Sequence, residues 1–413
     1  MPERIIAIAV KKRGSDDRRF ASSLDELKSL SSTAGGSVEK VITQNRQRIH
    51  PAFYIGEGKV EEIRETAEEL EADMIISNDE LSPGQLRNLT NHIGIQVIDR
   101  SQLILDIFAK RAQTKEGKLQ VELAQLEYTL PRLRGRGEEM SRLGAGIGTR
   151  GPGETKLETD QRHIRSRIDD IKKQLKQVVR QREQYRKRRK TNDVFQVAIV
   201  GYTNAGKSTL FNHLTQSDAL VEDQLFATLD PLTRKIQLPS GFRTLATDTV
   251  GFIQDLPTSL IAAFRSTLEE VTEADYILHV VDASNPDFDL EQQQETVNSL
   301  LHDLDADTIP QLMVYNKKDL IDDDFIPMYH PNIFISALEP SDIHRLLRKL
   351  EQTLKDEWDW YTVFLNPDQG KLLHRLEQET IVTERFFQEN ENIYSVSGYM
   401  RQNHPLKSLL KGH

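Results

Sequence analysis

The apolar-rich run from Phe195 to Val200 leads without a break into Gly201-Tyr202-Thr203-Asn204-Ala205-Gly206-Lys207-Ser208-Thr209. A strand that ends in GxxxxGK[ST] and opens a helix turns successive backbone N–H groups toward one point, where the helix N-terminus adds positive potential. Such a point suits phosphate oxygens, with Lys207 reaching the terminal phosphates and Ser208 holding Mg2+. The pattern calls for a strand, loop and helix within an α/β sheet.

Three further stretches follow in an order that narrows the reading. Asp248-Thr249-Val250-Gly251 comes after Leu245-Ala246-Thr247, as expected of a buried strand that brings a carboxylate to the metal shell and a glycine N–H to a γ-phosphate. Asn316-Lys317-Lys318-Asp319 follows the strand-like Gln311 to Tyr315 and has the NKxD form. Asp319 can accept from guanine N1–H and the exocyclic amine. Adenine lacks that donor pair, so a mismatched carboxylate would reject it strongly. Ser336-Ala337, after Ile333 to Ile335, stands where a backbone N–H would face guanine O6. The ordered set points to GTP. Any one piece alone is also what a turn, a capped strand end or a solvated charge cluster looks like.

The chain has 413 residues, room for two to four domains, and its 37% hydrophobic and 29% charged content is that of a globular protein. It has no cysteine, so disulfides, thiolate metal sites and thiol nucleophiles are excluded. Ile5 to Val10 is too short for a signal or membrane segment, and a cytoplasmic, monomeric protein with no membrane span is expected. The net charge of −10 conceals an uneven distribution. Residues 118–190 carry 20 Lys+Arg against 10 Asp+Glu, so the rest of the chain is acidic and this one arm is basic.

Four regions are predicted. Residues 1–115 alternate strand-like patches (Ile5 to Val10, Val38 to Thr43, Met74 to Ser77, Ile95 to Ile98) with helix-like ones (Ser23 to Ser31, Val60 to Leu70, Pro83 to His92, Gln102 to Arg111), as in a small α/β domain. Residues 116–190 hold two amphipathic helices that read as an antiparallel hairpin. One has leucines at 119, 123, 126, 130 and 133; the other has the same 4-3 spacing from Ile164 through Ile168, Ile171, Leu175 and Val178 to Tyr185. Packing of each seam on a neighbouring domain fits the spacing equally well.

Between the helices, residues 135–153 contain seven glycines and Arg136, Arg142 and Arg150. That composition favours RNA contact over a plain flexible loop, because guanidinium groups pair with phosphates and glycine allows close backbone approach. Arg186-Lys187-Arg188-Arg189-Lys190 exceeds what a helix C-terminus needs and suggests phosphate contact as well. Residues 191–356 form the nucleotide-binding domain with a mixed, mostly parallel sheet. Residues 357–413 form a small α+β domain, with Trp358 and Trp360 as packing residues at its junction.

Longer stretches resemble the HflX family of translational GTPases: Gly151 to Asp160 (GPGETKLETD), Phe226-Ala227-Thr228-Leu229-Asp230-Pro231, Asp248 to Pro257 with Phe264 to Glu270, and Tyr54 to Ile63. The resemblance runs from about residue 40 into the tail domain. It implies a ribosome-associated GTPase that binds the large subunit and splits 70S particles, stalled or hibernating, under stress. It also implies that Thr228 joins Ser208 and Asp248 at Mg2+ when a γ-phosphate is present, with Thr233 the competing local candidate. Lys207, Thr228 and Gly251 are then the catalytic candidates, and Phe226 to Asp230 join the nucleotide-contacting set. Asn204 resembles the asparagine through which some GTPases hold K+; shaping the tight turn is the equal alternative. Phe252 occupies the place of a water-orienting glutamine, so slow unstimulated hydrolysis is expected. A large-subunit assembly GTPase and an RNA-binding or RNA-remodelling protein with little turnover are the competing functions.

Overall fold

The structure, a computed structural model, describes residues 2–133, 156–191, 194–215, 225–254, 268–284, 287–321, 326–327, 329–389 and 391–407. The connector at 135–153, residues 151–155 of the Gly151 to Asp160 stretch, and residues 255–257 and 264–267 of the later family stretches lie outside the described residues.

The chain divides into two compact units. The first comprises residues 1–180 with 223–230 and 253–266. Its sheet has the order β2-β1-β3-β4, from β1 (Glu3–Lys12), β2 (Gly36–Arg46), β3 (Met74–Ser77) and β4 (Gln96–Asp99). All neighbours are parallel. The crossovers are α1 (Asp17–Ala34), α2 (Glu57–Glu69) and α3 (Pro83–Ile93). Central β1 is covered on both faces, which is why Ile5 to Val10 reads as an unbroken apolar run; all six are buried. Local chemistry sets the helix ends. Asp16 caps α1 by accepting from Arg18 N (2.7 Å), and Ser82 with Gln85 forms a capping box on α3 behind Pro83. Gly56-Glu57-Gly58-Lys59 turns the chain into α2, with Gly56 N–H on Gln44 Oε1 at 2.8 Å.

α4 (Arg100–Arg111) buries Leu103, Ile104, Leu105, Ile107 and Phe108. α5 (Lys115–Arg132) packs on it and corrects the expected leucine seam. The buried positions are Gly117, Leu119, Val121, Ala124 and Tyr128, while Leu123, Leu126 and Leu130 are only half-buried. In α6 (Lys156–Thr191) the predicted seam is better kept, with Ile168 and Ile171 buried. Ion pairs Arg167–Glu122 (2.6 Å) and Lys172–Glu127 (2.8 Å) brace α6 on α5. Partner numbers rise together on both helices, which is not the order that successive turns of an antiparallel pair give. The side chains of Tyr185 and of the basic run 186–190 lie outside the described residues.

The second unit comprises residues 181–222, 231–252 and 267–413. Its main sheet has the order β10-β9-β8-β5-β7-β6. The strands are β5 (Gln196–Gly201), β6 (Leu232–Gln237), β7 (Arg243–Asp248), β8 (Tyr276–Asp282), β9 (Gln311–Asn316) and β10 (Asn332–Phe334). Only β6–β7 is antiparallel. Strand order reverses at β5, so a crevice opens beyond its carboxyl end, the place where open α/β sheets bind ligands. α7 (Lys207–Thr215), α8 (Asp287–Asp303) and α9 (Pro340–Glu357) belong to the same unit.

An antiparallel sheet β11-β13-β12 with α10 (Gly370–Glu379) completes the unit; its strands are β11 (Asp359–Leu365), β12 (Ile381–Gln388) and β13 (Ile393–Met400). Ile381 and the half-buried Trp358 join the core of the main sheet. Trp358 stands edge-on to Phe195 (5.4 Å) and Phe242 (5.3 Å). Trp360, by contrast, is 53% exposed.

Candidate guanine-nucleotide site

The phosphate loop forms at the end of β5, where the strand's apolar side chains anchor the backbone and the loop supplies conformations that strands cannot. Asn204 (φ 61°) and Gly206 (φ 89°) are left-handed. At Gly206 a Cβ would stand 2.2 Å from Asn316 Nδ2. Asn204 is exposed, and its backbone angle gives the turn-shaping alternative a geometric basis. Lys207 folds back over the loop and donates to the Tyr202 carbonyl at 2.7 Å. Burial pushes its ammonium down to about 8, against the opposing pull of Asp248. Thr209, one residue on in α7, is half-buried.

Asp248 ends β7, fully buried, and accepts from Ser208 Oγ at 2.9 Å. Thr249 Oγ1 donates to the Ile199 carbonyl (2.7 Å), so the DxxG segment is tied to β5 before it leaves the sheet. Phe252 is wedged by its backbone: its N–H reaches Gly201 O (3.2 Å) and its carbonyl takes Thr203 N–H (2.8 Å). Gly251 therefore lies on the phosphate loop, where a Cβ would come 3.0 Å from Lys207 Nζ and 2.8 Å from Thr203 Cγ2. Val250 is buried behind it.

The base-reading loops meet through Asn316. Its Nδ2 donates to Ala205 O (2.9 Å) and its Oδ1 accepts from Ala337 N–H (2.8 Å). Lys317 is left-handed (φ 61°) and its ammonium sits on Asp282 (2.6 Å). Lys318 pairs with Asp342 (2.5 Å), which also accepts from Ser336 N–H at 2.8 Å. Burial would raise the Asp342 carboxyl, but Lys318, Ser336 and Arg345 outweigh it and hold the group below its ordinary range. Asp319 is exposed. Since both Ser336 and Ala337 N–H groups already have protein acceptors, facing guanine O6 requires one of these bonds to be shared or exchanged. Sequence reasoning missed Asp282 and Asp342; the only local signal for Asp342 is an acidic side chain in the first turn behind Pro340.

The remaining predicted segment, Phe226 to Asp230, belongs to the first unit. Phe226 and Leu229 are buried; Ala227, Thr228 and Asp230 are half-buried. The Asp230 carboxylate accepts from Gln113 N and Thr114 N rather than standing open for a ligand. Thr233, the competing candidate, lies in β6 with its hydroxyl 3.0 Å from that of Thr247.

A six-stranded α/β sheet with a phosphate loop at its switch point, a DxxG turn against that loop and an NKxD loop joined to it defines a P-loop GTPase, an enzyme that hydrolyses GTP. Residues 21–109, 111–189 and 196–317 match families described as GTP-binding GTPase N-terminal, GTP-binding GTPase middle region and 50S ribosome-binding GTPase. The chain is 54% identical over 397 residues to the GTPase HflX of Alkalihalophilus pseudofirmus, covering 96% of this chain and 93% of that one. It is 44% identical over 377 residues to the GTPase HflX of Escherichia coli, covering 90% and 88%. Among solved structures, a GTP-binding protein from the archaeon Sulfolobus solfataricus in complex with GDP matches 84% of this chain and 98% of its own, at 25% identity and a TM-score of 0.45. The chain belongs to the HflX family of GTPases. Among the described residues no helix is long and apolar enough to cross a membrane.

Proposed function

We propose that this GTPase docks on the large ribosomal subunit and, in its GTP state, splits stalled or hibernating 70S ribosomes under stress, working in the cytoplasm as a monomer. The observation that carries the reading is one chain joining a guanine-nucleotide loop set, within a region similar to a 50S ribosome-binding GTPase family, to an arm with 20 cations against 10 carboxylates over residues 118–190. Nucleotide can bias such a machine only through differential contacts, and the γ-phosphate is the group that differs between its two states.

Ser208 and Asp248 present oxygen ligands 2.9 Å apart and fit a hard cation such as Mg2+. Bound there, the ion supplies charge neutralisation for β- and γ-phosphate oxygens. Thr228 is the third ligand in this proposal, Lys207 and the Gly251 N–H hold the γ-phosphate, and Asp319 reads the base. Phe252 is buried at 3% exposure and has no side-chain group to orient water. Unstimulated turnover is therefore slow and ribosome contact accelerates it. Asn204 is the proposed K+ contact, which rates in K+ and Na+ salts check.

Sedimentation of intact 70S particles with the protein and GTP, GDP or a non-hydrolysable analogue tests the function. Free subunits are expected only with GTP or the analogue. Binding without subunit release favours the assembly GTPase, and rapid hydrolysis without ribosomes refutes the stimulated mechanism.

A further inference from the structure

Helix α5 carries glycine at its third position, Gly117, where alanine would favour the helix by about 1 kcal/mol. The space a methyl would need is occupied: a Cβ on Gly117 would stand 2.3 Å from Asp230 Oδ1. That carboxylate is seated on the start of α5. Oδ2 accepts from Gln113 N (2.9 Å) and Thr114 N (2.8 Å), and Oδ1 accepts from Thr114 Oγ1 (2.5 Å). The same hydroxyl accepts from Gly117 N–H at 2.9 Å as the N-cap of α5. Three donors thus converge on one anion at the positive end of a helix.

The other end of the segment is seated too. Phe226, 2% exposed, meets Phe108 of α4 edge-on at 4.6 Å, and Leu225 N–H reaches Thr33 Oγ1 of α1 at 3.3 Å. Phe226 adopts φ 56°, a conformation that bulky residues hold only when their surroundings enforce it. Thr228 lies between these two anchors.

We propose that Asp230 is a positioning residue: it fastens the segment around Thr228 to the first turn of α5, so that the presence of a γ-phosphate at Thr228 changes the ordering of Gln113 and Thr114, where the basic arm begins. This rests on the reading of Thr228 as the γ-phosphate sensor. Coupling of this kind is reciprocal, so ordering of the α5 start also favours the GTP-bound segment.

Hydrogen exchange on the full chain, with Mg2+ and either GDP or a non-hydrolysable GTP analogue, tests it at residues 113 and 114. The wild type is expected to exchange these amides at rates that differ between nucleotides by about fivefold or more. Asp230→Ala and Gly117→Ala should each abolish that difference. Gly117→Ala replaces no residue of the segment, but it crowds the Asp230 carboxylate off its three donors, so its melting temperature should fall by no more than that of Asp230→Ala while the protein still binds GDP. A difference that survives in both variants overturns the proposal, as does equal exchange in the two states of the wild type. Thr228→Ala separates the underlying reading. If that variant keeps the wild-type preference for analogue over GDP, Thr228 is not the sensor, while abolition of the difference by Gly117→Ala would still uphold the Asp230 seat.

Discussion

Asn316 reaches in two directions, with Nδ2 on the phosphate loop at Ala205 and Oδ1 on the base loop at Ala337. Asn316→Ala leaves the buried Ala205 carbonyl without its donor and the buried Ala337 N–H without its acceptor, each costing about 1–3 kcal/mol. GDP affinity in a fluorescent-nucleotide titration is expected to fall by about tenfold or more, and an unchanged Kd would refute the bridging role. Lys207 gives a second prediction. Its value of about 8 in the folded protein lies below the ordinary 10.5, so above pH 8 the unfolded chain holds a proton that the folded one has released. This group's contribution to stability therefore rises between pH 8 and 10.5. Phosphates restore the charge, so nucleotide binding at pH 9 takes up a proton and affinity falls toward tenfold per pH unit above 8. Calorimetry in two buffers of different ionisation enthalpy checks this; the absence of proton uptake at pH 9 would refute it. The loop residues were legible as spacing because phosphate chemistry dictates that spacing locally. The seat of Asp230 on the start of α5 was not: its partners there lie 116 and 117 positions away, and the one local trace is a glycine inside a helical pattern.

At the scale of elements, short apolar patches such as Ile5 to Val10 and Met74 to Ser77 located strands of the first sheet, while helix starts were placed less well, α1 beginning at Asp17 rather than Ser23. The buried face of α5 escaped that logic. Leucine spacing marks a stripe able to be buried, but the packing decides, and Val121, Ala124 and Tyr128 are buried beside Leu119 while Leu123, Leu126 and Leu130 are only half-buried. The tail sheet is held to the nucleotide-binding sheet by the Phe195, Phe242 and Trp358 ring cluster. Truncation by Trp358→Ala removes two edge-on ring contacts from a half-buried site and should cost about 2–4 kcal/mol in urea unfolding. Trp360→Ala, at an exposed position, should cost under about 1 kcal/mol. Equal losses for the two tryptophans would contradict this assignment.

For the molecule as a whole, charge is partitioned: one arm is cationic within an acidic chain. If this arm meets ribosomal RNA as proposed, binding should weaken steeply with salt, each phosphate contact adding roughly 0.7–0.9 to the log–log slope. Replacing residues 186–190 by glutamine is expected to lower that slope by up to about 3.5–4.5, whereas an unchanged slope would remove this run from the interface. One consequence of the fold bears on how the enzyme can be dissected. A fragment cut after the arm would retain residues 225–230 but lose Thr33, Phe108 and Thr114, which hold them. Rates from such a truncated protein would describe that segment stripped of its cradle, so comparisons of isolated and intact enzyme report on the lost support as well as on any partner.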